Sequence, residues 1–167
     1  MQRNNPDDKS LEALVADAIE FVRNFSVNLI EHPLHVYYTA LPLHPTTSIL
    51  YQTFQSESNR PDHGGPKYLQ RMNAVLKRNI CNMMISAPLG LEALSEDLTC
   101  ACQSWVDYIV SIDPSWVMVT LEFFLRTHLL HWFEAMSIIK KTGTIIPMLE
   151  RVVAWLAVRL GILNQYC

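Results

Sequence analysis

Leu121, Phe124, Leu125, His128, Leu129, Trp132, Met136 and Ile139 recur at spacings of three and four. That rhythm matches a helix of about 3.6 residues per turn and is incompatible with a strand, whose side chains alternate between two faces. The stretch is therefore committed to a long helix with one apolar stripe facing inward. Asp113-Pro114 and Trp116 mark its expected start. Lys140-Lys141-Thr142-Gly143 marks its end, with cations and a glycine where a helix C-terminus favours them.

The same rhythm returns along the chain. Leu11, Leu14, Val15, Ala18, Phe21, Val22, Phe25 and Leu29 predict a helix to about Ile30, opened by Asn5-Pro6-Asp7-Asp8 and broken by Pro33. Leu69, Met72, Val75, Leu76 and Ile80 predict one over 66–84, stopped by Pro88-Leu89-Gly90. Leu91, Leu94, Leu98, Cys102, Trp105 and Ile109 predict another. Thr144 is the expected cap of a last helix reaching Leu160, closed by Gly161. No series of strands with βα spacing interrupts them, so the class is all-α, a single bundle of about six or seven helices.

Residues 33–54 are less regular. Pro33, Pro42 and Pro45 permit only short elements between them. Val36-Tyr37-Tyr38-Thr39 has strand propensity, but an all-helical context favours one or two helical turns. Thr46 or Thr47 is the expected cap of a helix carrying Ile49, Leu50 and Phe54. Residues 55–67 are polar and rich in Gly and Pro, and read as a flexible linker. One domain over 1–167 is expected, with an N-terminal helical block (5–54) and a C-terminal one (66–163).

Apolar residues make up 50 % of the 167 and charged residues only 17 %. Either some helix is buried all round or an apolar face awaits a partner. The net charge of −3 carries no basic footprint, and Lys77-Arg78 with Arg71 is the sole basic cluster, so nucleic-acid binding is not expected. Cys81, Cys100, Cys102 and Cys167 lack the paired spacing of a zinc site and read as reduced thiols of a cytoplasmic protein. The polar N-terminus does not resemble a signal peptide. Residues 145–163 are the nearest approach to a membrane span, but Glu150, Arg151 and Arg159 interrupt them, so no transmembrane segment is expected.

Recognisable chemistry is scarce. His128 and His131 lie three apart, and Glu134 is within reach of His131 as a third metal ligand. The HExxH pattern is missing, and packing within a helix seam is the favoured reading. His35 beside Tyr37 and Tyr38 suggests a polar pocket lining, against the plainer reading of a packed bend. Glu96-Asp97 reads as a solvated helix face. No GxSxG, GxGxxG or GxxxxGK[ST] motif occurs, so no hydrolase or nucleotide machinery is recognisable. The four tryptophans and seven methionines read mainly as core, though Met72, Met83 and Met84 could line a groove for a partner helix. No catalytic residue, cofactor or metal site is assigned.

Several strings together resemble one family. They are RMNAVLKRNIC (71–81), CACQSWVDYI (100–109), FLRTHLLHWFEAMSII (124–139) and, across 17–54, DAIEFVRNF followed by HPLHVYYTALPLHPTTSILYQTF. They are similar to the helical segment between the NACHT ATPase module and the WD-repeat propeller of fungal STAND proteins, relatives of the NOD-like receptors. The resemblance covers roughly 17–156. In those relatives the block resembling 17–54 follows the other three, whereas here it comes first. The chain thus reads as permuted, as the end of one copy fused to the start of another, or as a rearranged gene. The resemblance implies no catalytic residue, because the ATPase motifs of such receptors belong to the NACHT module. It implies coupling or packing against other domains. A permuted but intact core would bring the helices resembling 11–30 and 145–160 together.

The leading expectation is a non-enzymatic scaffold or interaction module acting on a protein partner, or on a second copy, through apolar helix faces. Trp105, Phe124, Trp132, Phe133 and Trp155 are its expected core or interface anchors. A helical carrier enclosing a hydrophobic small molecule, with His35, Tyr37 and Tyr38 as polar contacts, is the alternative. A small helical enzyme or metal protein using His128, His131 and Glu134 is a third.

Overall fold

Apolar stripes become helices wherever the chain can be followed. The computed structural model describes residues 6–56, 96–111 and 117–159. Every regular element among them is helical, and the fold is all-α. α1 spans Pro6–Glu31, α2 Leu41–Leu43, α3 Ile49–Phe54, α4 Glu96–Ser111, α5 Val117–Ile138 and α6 Ile145–Arg159. A π-helical turn, Val36–Ala40, runs into α2, and a 3₁₀ turn, Thr142–Thr144, runs into α6. The helix expected over 66–84, most of the linker, the Asp113-Pro114 start and the Gly161 close lie outside the described residues, as do Met72, Met83, Met84, Cys81 and Cys167. Among the described residues no helix is long and apolar enough to cross a membrane.

Four long helices close a ring. α1 and α4 each pack against both α5 and α6, which places α5 and α6 on the diagonal. Ser10 meets Arg126, Phe21 stacks on Phe133 and Leu29 meets Ser137, so α1 and α5 run in the same direction. Cys102 meets Trp132 and Trp105 meets Phe124, so α4 runs against α5. The short turn after α5 sends α6 back along α1, its most extensive packing partner. Arg23 and Glu150 close that seam at the surface with an ion pair of 3.0 Å. α1 and α6, far apart in the sequence, are thus neighbours.

α1 departs from helical geometry at Phe25 (φ −116°, ψ 15°). Before the kink Leu11, Leu14, Val15, Ala18, Phe21 and Val22 are buried; beyond it Leu29 stays buried while Val27 and Ile30 face solvent. The rings of Phe21 and Phe25 meet each other at the kink, and both meet His44.

α5 is buried more completely than a one-sided stripe requires. Every residue over 128–137 is buried, apolar and polar alike. α1 and α4 cover two sides, and the segment 32–54 crosses as a strap over another, with its π-turn and α3 packed on α5. This half of α5 is the helical stretch buried all round that the apolar excess of the chain calls for. Trp105, Phe124, Trp132, Phe133 and Trp155 all lie in the core. Trp105 stands edge-on to Trp132 at 5.3 Å between ring centres, and the Trp132 indole N–H donates to the Cys102 carbonyl at 3.0 Å.

Two helix ends differ from expectation. α3 is capped by Ser48, whose hydroxyl accepts the Tyr51 amide at 2.9 Å, rather than by Thr46 or Thr47. Ser48 has the extended backbone of a cap and immediately precedes the first helical residue. α5 closes at Lys140, not Gly143. Lys140 has φ 59°, the Lys141 amide donates to Met136 O at 2.8 Å and the Lys140 amide to Ser137 O at 3.1 Å. These are the two bonds of a Schellman close, with a lysine where glycine is preferred. Thr144 donates its hydroxyl to Lys141 O at 2.8 Å, holding the 3₁₀ turn.

Candidate functional site

His128, His131, Glu134 and Ser137 form a row at spacings of three along the buried half of α5. Polar groups taken out of water need partners, or they destabilise the fold. Ser137 donates its hydroxyl to the Leu29 carbonyl near the end of α1. Glu134 is met from the strap: the Tyr37 hydroxyl donates to Oε2 at 3.0 Å. The His131 ring lies 5.6 Å from that of His128 and 6.2 Å from that of Tyr37. His128 in turn packs against Phe123 and Phe124.

Glu134 has a displaced titration. Burial pushes its carboxyl above the ordinary value, and the Tyr37 hydrogen bond opposes that shift as the smaller effect. The cluster can therefore hold a proton on a carboxyl inside the bundle.

The structure gathers Tyr37, His128, His131 and Glu134 and separates His35 and Tyr38 from them. Tyr38 is 52 % exposed, while Tyr37 is 1 % exposed. Neighbouring residues on a helical turn point about 100° apart, so Tyr37 and Tyr38 do not share one pocket lining. His35 is half-buried at the turn after α1; its Nδ1 lies 3.2 Å from the Asn28 carbonyl and its ring 5.6 Å from that of His32. Among the described residues no three His, Cys, Asp or Glu side chains come together as a metal site. Glu134 points its carboxylate at Tyr37 rather than completing a ligand set with His128 and His131. Cys100 is exposed and Cys102 buried, as their positions two apart on α4 dictate.

A second polar cluster was not anticipated from the sequence. Asp17 of α1 accepts from His44 Nε2 at 3.2 Å through one oxygen and from the Leu50 amide at 2.8 Å through the other. A single carboxylate thereby fixes the end of α2 and the first turn of α3. One signal was available: Asp17 lies three residues after Leu14 and four before Phe21, on the apolar stripe itself. An acid on a buried stripe announces a partner. Nothing local in the Leu-His-Pro context of His44 announces which one.

Comparison with family models, curated proteins and solved structures finds no match for this chain.

Proposed function

We propose that this chain is a non-enzymatic helical scaffold or interaction module of the cytoplasm, similar to the regulatory helical region of fungal NOD-like receptor proteins. It acts through apolar helix faces on a protein partner or on a second copy of itself. The observation that carries this reading is the use made of Glu134. The one acid among the candidate chemical residues is tied to Tyr37 inside the bundle, where it fastens one part of the fold to another. The packing of α1 on α6 supports the receptor resemblance, because those two helices correspond to blocks that follow one another in the relatives. Val27, Ile30, Tyr38 and Leu43, all more than half exposed, offer apolar surface on and after the last turns of α1.

Native mass measurement of the purified full chain tests the reading. A bare monomer or a defined homo-oligomer is expected. A stoichiometric hydrophobic small molecule carried through purification would replace the scaffold with a carrier. A companion chain with residues 66–167 placed before residues 1–54 should fold with an unchanged helical spectrum if the resemblance to the receptor segment holds.

A further inference from the structure

Residues 32–54 cross the bundle without a long helix of their own. Their regular pieces are a π-turn of 5 residues, α2 of 3 and α3 of 6. Helices below about 12–15 residues are marginal by themselves in water, so the strap keeps its shape only through what it touches. Pro42 and Pro45 further remove two backbone donors. Apolar side chains such as Val36, Leu41 and Leu50 hold the strap down, and two polar fastenings complete the hold: Tyr37 on Glu134, and His44 with the Leu50 amide on Asp17.

The Glu134 fastening has an unusual property. Glu134 is 5 % exposed, so ionising it strands a charge away from water. Among the described residues, Tyr37 of the strap donates to it, and His131 and then His128 stand about one and two turns before it on its own helix. Several charged groups on the other packed helices are engaged elsewhere. Asp17 of α1 holds His44 and Leu50, Arg23 of α1 pairs with Glu150 of α6, and Arg151 of α6 pairs with Asp107 of α4. α1 and α4, with 26 and 16 residues, are far longer than any piece of the strap. Local opening takes the least cooperative cover first, which here is the strap.

We propose that the strap is a proton-controlled cover. Protonated Glu134 keeps it closed over α5, and ionised Glu134 reaches water by lifting residues 34–43. Lifting uncovers the His131 and Glu134 face of α5. Burial raises the Glu134 titration above its ordinary value of 4.5, so the closed form is favoured below that value and weakens as the pH climbs through the raised one.

Hydrogen exchange on the full chain tests this. The amides of Tyr37, Tyr38 and His44, bonded within the strap, report its opening, and amides of α6 report the bundle. After correction for intrinsic exchange chemistry, the strap opening constant should rise above pH 4.5 by up to about tenfold per pH unit, then level off, while α6 stays flat. In Glu134→Gln the strap should lose that slope. Strap amides that track α6 at every pH, or a slope that survives in Glu134→Gln, would overturn the proposal, the second outcome assigning the effect to the histidines. Should Glu134→Gln fail to fold, the carbon-13 titration of the Glu134 carboxyl in the unaltered chain decides. A raised midpoint that coincides with the pH at which strap exchange levels off supports the cover, and a midpoint at the ordinary value refutes it.

Discussion

Asp17 and Leu50 are 33 residues apart, yet the Asp17 carboxylate accepts the Leu50 amide at 2.8 Å. The same side chain holds His44, so one substitution cuts two bonds and leaves two donors in a half-buried site. Asp17→Ala should lower stability by about 1–3 kcal/mol, the usual effect of stranding buried partners. Asp17→Asn should lose less, since its amide oxygen can still accept from Leu50. Urea unfolding of the three proteins measures this. Equal stability of all three would mean that the strap does not depend on Asp17.

Glu134→Gln should be more stable than the parent chain at pH 7. The variant keeps an acceptor for Tyr37 and carries no charge to bury. Because burial holds the folded carboxyl above 4.5, the parent chain loses stability as the pH rises through the folded value, and the difference between the proteins should close as the pH falls toward 4.5. Denaturant titrations at several pH values would show it. A parent chain more stable than the variant at pH 7 contradicts burial as the dominant cause.

Lys140 adopts φ 59°, a region that side chains other than glycine enter at a cost. Lys140→Gly should therefore raise stability by about 0.5–1 kcal/mol. Gly143 has open space where a Cβ would stand, so Gly143→Ala should change the melting temperature little. The reverse pattern would place the close of α5 at Gly143 after all.

Trp132 is fully buried between Trp105 and Phe133, with its N–H on the Cys102 carbonyl. Trp132→Ala should destabilise by about 3–5 kcal/mol through the cavity it leaves. Calorimetry would read this as a large drop in melting temperature. An unchanged transition would remove α5 from the core.

A chelator should leave the melting temperature where it is. The His128, His131 and Glu134 side chains are occupied with aromatic neighbours and Tyr37, and no metal-holding group stands among the described residues. A large downward shift with EDTA would restore the metal reading of His128 and His131.

Periodicity revealed α1, α4 and α5, because each buries a stripe that repeats with the helix turn, while α6 was read from its end signals. It understated α5. His131 reads as an edge position, yet it is buried, with Tyr37 of the strap against its ring. That strap has no period of its own, and its π-turn answers to Glu134 far along the chain, which no local window contains. Tyr37 and Tyr38 looked equivalent in sequence; the turn sends one inward and the other out. The start of α3 and the close of α5 were misplaced by one or a few residues, because a cap depends on which residue takes the required backbone angles. Composition alone cannot choose between Thr47 and Ser48, or between Lys140 and Gly143.

The pairing of α1 with α6 also sets an order of events at the ribosome. Arg23 and Glu150, which close that seam, are 127 residues apart. At about 5–20 residues per second, α1 emerges roughly 6–25 seconds before its main partner exists. Throughout that interval Leu14, Val15, Phe21 and Val22 have no α6 to cover them. The bundle must complete itself after the last helix appears, and the nascent N-terminal half is a natural client for chaperones that bind exposed apolar helices.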